Sequence, residues 1–141
     1  MVADRPQSEA SALAEFGLNL GIAFQLVDDA LDYSADQAVL GKTVGDDFRE
    51  GKITLPVLLA YQASDTTDQV FWRRTIETNE QSDADLDRAL DLMGRSNAIR
   101  LTLDRARGFA AKAQRALDPF PETTLRRALL DVTEYTVDRV R

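Results

Sequence analysis

The sequence predicts an all-α protein. Apolar residues recur every three or four positions along nearly the whole chain, no segment alternates with the period of two that a half-buried strand requires, and capping residues, glycines and prolines cut the chain into about six helical stretches. The 141 residues suit a single structural region with a sizeable core.

The first helix is expected over residues 8–33. Leu13, Phe16, Leu20, Phe24, Val27 and Leu31 form one stripe, and Leu18, Ile22 and Leu26 form a second. A helix apolar on nearly every side belongs in a core. Residues 34–51 hold Gly41, Gly45, Gly51 and several charges without periodicity, so they read as a connection. Thr54 is a plausible N-cap for the next helix, whose first turn tolerates Pro56 and whose apolar residues are Leu55, Val57, Leu58, Leu59 and Ala60.

The polar stretch 64–68 breaks the chain, and a short helix follows over residues 69–77, with Phe71 and Trp72 read as core or interface. Ser82 and Asp85 have capping-box-like spacing before a helix with Leu86, Ala89, Leu90 and Met93 on its apolar face, ended by Gly94. A long helix follows over residues 97–117, with the stripe Ile99, Leu103, Ala106, Ala110, Ala113 and Leu117, and Asp118-Pro119-Phe120-Pro121 stops it. The last helix is expected over residues 122–140, with Leu125, Leu129, Val132 and Val137 inward. Arg73, Arg74, Arg126 and Arg127 are expected to be solvated.

Composition excludes several chemistries. The chain has no cysteine and no histidine, which removes disulfides, zinc-thiolate sites, cysteine nucleophiles and Ser-His-Asp catalysis. A net charge of -7 argues against nucleic acid as a partner. Any metal must be hard and bound by oxygen. No leader opens the sequence, and the longest apolar stretch, residues 16–27, is too short to span a bilayer, so no transmembrane segment and a cytoplasmic location are expected.

The chemistry concentrates at Asp28, Asp29 and Asp32. Asp28 and Asp32 share a helix face, with Gln25 one turn earlier. Carboxylates about 5 Å apart repel by about 3 kcal/mol at an effective dielectric of 20, and the C-terminal end of a helix dipole disfavours anions further. Neither lysine nor arginine occurs between Pro6 and Leu40 to relieve them. A shared divalent cation would answer both costs; a solvated acidic helix end is the competing reading. Lys42 and Lys52 each stand beside a glycine in the segment that follows, a pattern suited to holding a phosphate, whereas either alone reads as a surface residue. Asp46 and Asp47 could support a metal's water shell or simply form a turn.

Residues 21–33, Gly-Ile-Ala-Phe-Gln-Leu-Val-Asp-Asp-Ala-Leu-Asp-Tyr, closely resemble the second aspartate-rich motif of the trans-isoprenyl (polyprenyl) diphosphate synthases. Leu40-Gly41-Lys42, Gly45-Asp46-Asp47 and Arg49-Glu50-Gly51-Lys52-Ile53-Thr54-Leu55-Pro56 continue that family's pattern in order. The wording is closest to long-chain members, the octaprenyl and decaprenyl diphosphate synthases. The resemblance implies part of the isoprenoid synthase helical bundle, a homodimer in full-length members, and Mg2+ as cofactor with Mn2+ as an alternative. It implies transfer of an allylic prenyl group from its diphosphate to isopentenyl diphosphate. Asp28 would be the direct metal ligand, Asp29 and Asp32 would hold metal-bound waters, and Asp46 would support the metal shell. Lys42 and Lys52 would bind the allylic diphosphate, with Gln25 near the reacting centre.

The family's first aspartate-rich motif and its Lys-Thr pair have no counterpart here; the chain opens at Met1-Val2-Ala3-Asp4. Residues 1–141 are therefore expected to be the C-terminal portion of such a synthase, inactive alone. The alternative is a non-catalytic helical module that complements or regulates a partner synthase.

Overall fold

A computed structural model describes residues 7–34 and 43–139. Among the described residues there are seven α-helices and no strand: α1 Gln7–Leu31, α2 Asp46–Arg49, α3 Leu55–Gln62, α4 Thr66–Trp72, α5 Asp85–Arg95, α6 Ala98–Ala116 and α7 Thr124–Asp138. A π-helical turn, Arg73–Glu77, prolongs α4. The all-α expectation is met. The one added helix is the single turn α2, which the glycines around it concealed.

Helix ends follow local chemistry, at places the sequence marked and at others it did not. Thr54 is extended ahead of α3, with Pro56 in the first turn as expected, although its hydroxyl makes no capping bond. Helix α4 starts earlier than residue 69 because the Asp65 carboxylate accepts a hydrogen bond from the Asp68 N–H at 2.9 Å. Ser82 does not cap α5, which starts at Asp85 after Ala84 with no side-chain cap; the Asp85 carboxylate instead reaches back to accept from the Ser82 N–H at 2.8 Å. Gly94 does not end α5, which continues to Arg95; the chain turns out at Asn97, with φ 56°. Glycine inside a helix costs only about 1 kcal/mol, and asparagine enters the left-handed region more readily than most residues. Helix α7 is capped by the Thr123 hydroxyl, which accepts from the Arg126 N–H.

The chain divides into two compact units, with the boundaries falling inside α1 and α6. In the first, residues 1–27 and 104–141, the core is Phe16, Ala113, Ala116 and Leu117, with Leu20, Phe120, Leu129 and Leu130 packed on it. Two expectations are corrected in this unit. Helix α1 is not buried all round: Ala12, Phe16, Asn19, Ala23 and Val27 form its inner stripe, whereas Leu18 is 65% and Phe24 47% exposed. Several stripes share the helical period, and the packed one carries the smaller side chains that permit close approach. The buried Asn19 amide is satisfied by the Glu15 carbonyl at 2.9 Å. Helix α7 turns Leu129, Leu130, Thr133 and Thr136 inward and leaves Leu125 and Val132 exposed. Burying the threonines is inexpensive because each hydroxyl donates to the carbonyl four residues back. By length and composition α1 could cross a membrane, so measuring the apolar stretch over residues 16–27 alone understated it.

The second unit, residues 28–103, is built on an aromatic centre. Phe48 stacks on Phe71 at 6.4 Å, and Trp72 meets both edge-on, at 6.2 and 5.3 Å. Met93, Val57 and Ala60 complete the packing. Phe71 and Trp72 are core, as expected. Three arginines expected in solvent are also engaged: Arg73 donates to the Tyr61 hydroxyl at 2.9 and 3.1 Å, Arg74 clasps Asp85 through both nitrogens at 2.9 and 3.1 Å, and Arg126 in the first unit donates to the Leu117 carbonyl and to Glu122.

Candidate functional site

The second unit opens on Asp28 and Asp29 in the last turn of α1, followed by Asp32 and Tyr33 in the turn beyond it. The Asp32 N–H still donates to the Asp28 carbonyl at 3.1 Å, so helical geometry carries all three aspartates. Asp29 is buried at 9% exposure, and Asp28 and Asp32 are half-buried. The cluster is therefore not splayed into bulk water. Gln25 is exposed on the same helix, three residues before Asp28, and belongs to the first unit.

The turn leading into α2 returns to Asp32. The Gly45 N–H donates to the Asp32 carbonyl at 2.8 Å, and the Asp47 N–H donates to Asp32 Oδ2 at 3.0 Å. Asp32 thereby satisfies one of the orphan N–H groups that open a helix. Glycine suits this turn: its φ is 82°, and a Cβ would stand 2.4 Å from Leu86 Cδ1, which would have to move. From Asp47 the contacts reach Lys52, whose ammonium lies 3.6 Å from Asp47 Oδ1.

Each expected site residue can now be placed. Asp28, Asp29 and Asp32 lie together in one stretch of backbone, and Asp32 is linked to Lys52 through Asp47. Asp46 faces away from this line: its oxygens accept from the Thr43 hydroxyl at 2.7 Å, and it pairs with Arg49 at 3.1 Å on an exposed surface. Lys42 lies outside the described residues. The residue that sequence reasoning undervalued is Asp47. Adjacent identical residues carry no signal of which one turns inward.

The electrostatics are uneven. Burial pushes the Asp32 carboxyl above its usual range and the Asp47, Asp46 and Glu50 carboxylates push the same way, while the bond from the Asp47 N–H opposes them. Burial likewise raises the Tyr33 phenol, helped by Asp32 and Asp47. Among the described residues neither the Tyr33 nor the Thr54 hydroxyl reaches a hydrogen-bond partner at ordinary geometry, although Thr54 stands near enough to bear on the phenol's acidity. No three acidic side chains among the described residues gather closely enough to enclose a metal. The donors are all hard oxygens in an acid-rich setting, which fits a dication that keeps water and ligand oxygens in its shell rather than one caged by protein alone.

The family model described as polyprenyl synthetase matches residues 1–93, and the chain belongs to that family. It is 39% identical over 139 residues to the octaprenyl diphosphate synthase of Haemophilus influenzae, covering 99% of this chain and 42% of the relative. A decaprenyl diphosphate synthase structure from Rhodobacter capsulatus superposes with a TM-score of 0.91 at 42% identity, covering 99% of this chain and 43% of that one. A polyprenyl synthase from Caulobacter crescentus, solved with calcium and isoprenyl diphosphate, superposes at 0.87 with 47% identity, over 96% of this chain and 41% of that one. The chain thus spans about two fifths of the length of the relatives it matches. By name these relatives are polyprenyl diphosphate synthases, which are transferases.

Proposed function

We propose that this chain supplies the allylic-diphosphate side of a trans-polyprenyl diphosphate synthase site. The observation that supports the reading is the run of contacts from Asp32 through Asp47 to Lys52. In the reaction, the C–O bond of an allylic diphosphate breaks and its electron pair leaves with the diphosphate. The double bond of isopentenyl diphosphate supplies the electrons of the new C–C bond, and a proton is then lost. Bound Mg2+, or Mn2+ in its place, would neutralise charge growing on the leaving diphosphate. Asp28, Asp29 and Asp32 would hold the metal directly or through water. Lys52, together with Lys42, would hold phosphate oxygens, and Gln25 would lie near the reacting carbon. Asp46, paired outward with Arg49, is suited at most to the outer water shell. The proposed setting is the cytoplasm.

Calorimetric titration of the 141-residue chain with inorganic pyrophosphate in the presence of Mg2+ tests this. Binding is expected, and Asp28→Ala is expected to weaken it at least tenfold, the scale of a lost charge-assisted contact. Equal binding by the variant would favour a solvated acidic helix end. The chain alone is expected to show no elongation of farnesyl diphosphate with labelled isopentenyl diphosphate; measurable product would overturn that part of the proposal.

A further inference from the structure

We infer that Asp47 is a positioning residue which sets the Asp32 carboxylate and the Lys52 ammonium in register with each other. The inference rests on the site reading above and assigns a task to a residue which that reading leaves without contact to substrate.

Three separate groups of Asp47 are committed to the two partners. Its N–H holds Asp32 Oδ2 at 3.0 Å, its carbonyl accepts from the Lys52 N–H at 2.9 Å, and its Oδ1 lies 3.6 Å from Lys52 Nζ. Asp47 thus fixes both the start and the tip of the lysine. Burial is asymmetric: the Asp47 side chain is 15% exposed and that of Lys52 58%, so an anchored carboxylate orients a reachable ammonium. At 3.6 Å the pair is an ion pair but too long for a hydrogen bond, which leaves the three ammonium donors for phosphate oxygens. The turn is tied at its base as well, because the Gly45 N–H donates to the Asp32 carbonyl at 2.8 Å. A lysine ordered before it binds loses less rotamer freedom on meeting an anion. Asp46 lacks these connections; its carboxylate is spent on Thr43 and Arg49.

The test compares wild type, Asp47→Asn, Asp47→Glu, Lys52→Gln and the double variant Asp47→Asn/Lys52→Gln. Pyrophosphate titration with Mg2+ is the first readout. Asp47→Asn is expected to weaken pyrophosphate about 5- to 10-fold, with the double variant no weaker than Lys52→Gln alone, the non-additivity of two residues acting as one unit. Asp47→Glu is expected to recover part of the loss. Equal or tighter binding by Asp47→Asn, or fully additive effects, would overturn the inference. The second readout needs no ligand: carbon-13 relaxation of the Lys52 side chain and hydrogen exchange of the Asp47 amide. Asp47→Asn should free the lysine tip, and Asp32→Ala should deprotect the amide. If wild type binds no pyrophosphate, the site reading falls, and these two signals alone decide the positioning role: both changes sustain it, and their absence refutes it. If Asp47→Asn does not fold, Asp47→Glu and Asp32→Ala carry the same measurements.

Discussion

Gly45→Ala isolates the turn on which the site is built. Two costs arise at one atom. Alanine must adopt φ 82°, in the left-handed region, at about 1–2 kcal/mol. Its Cβ would stand 2.4 Å from Leu86 Cδ1, 3.1 Å from Cδ2 and 3.3 Å from Cγ, so the whole isobutyl group has to turn away rather than one methyl flexing. Overpacking of this kind costs about 1–3 kcal/mol, and Leu86 is only half-buried, which places the relief toward the lower end. Together they give a loss of about 2–4 kcal/mol. Gly94→Ala in the same unit is the control: a Cβ there meets nothing within 4 Å and the residue is helical, so a gain of about 0.5–1 kcal/mol is expected. Urea unfolding followed by circular dichroism reads both. If Gly45→Ala lies within about 0.5 kcal/mol of wild type, or Gly94→Ala is the more damaging change, the reasoning about this turn is wrong. Gly45→Asn separates the two costs, since asparagine tolerates the dihedral but keeps the Cβ.

Three further outcomes follow from the same geometry. Phe48→Ala, which removes a 1% exposed ring touching both Phe71 and Trp72, should cost about 3–5 kcal/mol by the same denaturant assay. The Asp85 carboxyl is held at about 2 by the hydrogen bond from Arg74, supported by the Ser82 N–H, against 3.8 unfolded. Its folded value is depressed, so its stabilisation is complete above the unfolded value and is lost as pH falls from about 4 to about 2. Solvent screening around the exposed arginine trims this to about 1 kcal/mol, and Arg74→Met should flatten the acid limb of a pH-stability curve. On α7, Leu125→Ala should stay within about 0.5 kcal/mol of wild type because the side chain is 70% exposed, whereas Leu117→Ala in the first core should cost about 2–5 kcal/mol.

Most helices were legible because their signals are local. The proline pair after Leu117, the Thr54-Pro56 start and the 97–117 stripe each act between residues a few positions apart. Where a local signal has several solutions, reading failed. Asp65 outcompeted Gln69 as a helix start because a carboxylate can close on an N–H three residues on. Gly94 was passed through because helical glycine is only mildly costly. On α1 burial was expected on every side and on α7 Leu125 and Val132 were counted inward although both are exposed, since periodicity counts apolar residues and cannot say which of them meet a neighbour.

By itself the sequence determined the all-helical class, the absence of histidine and cysteine chemistry, the DDxxD cluster at the end of a long helix, and the family that these residues share. Tertiary structure alone decided that Asp32 would serve as acceptor for Asp47, fifteen residues away, that Asp46 would face Arg49 instead, and that Leu86 would fill the space a Cβ at position 45 would need. The physical reason is range. Helical period, caps and breakers arise from contacts three or four residues apart and are written in consecutive letters. Which of two adjacent aspartates turns inward depends on where a distant segment's hydrogen bonds and side-chain volume come to rest after folding.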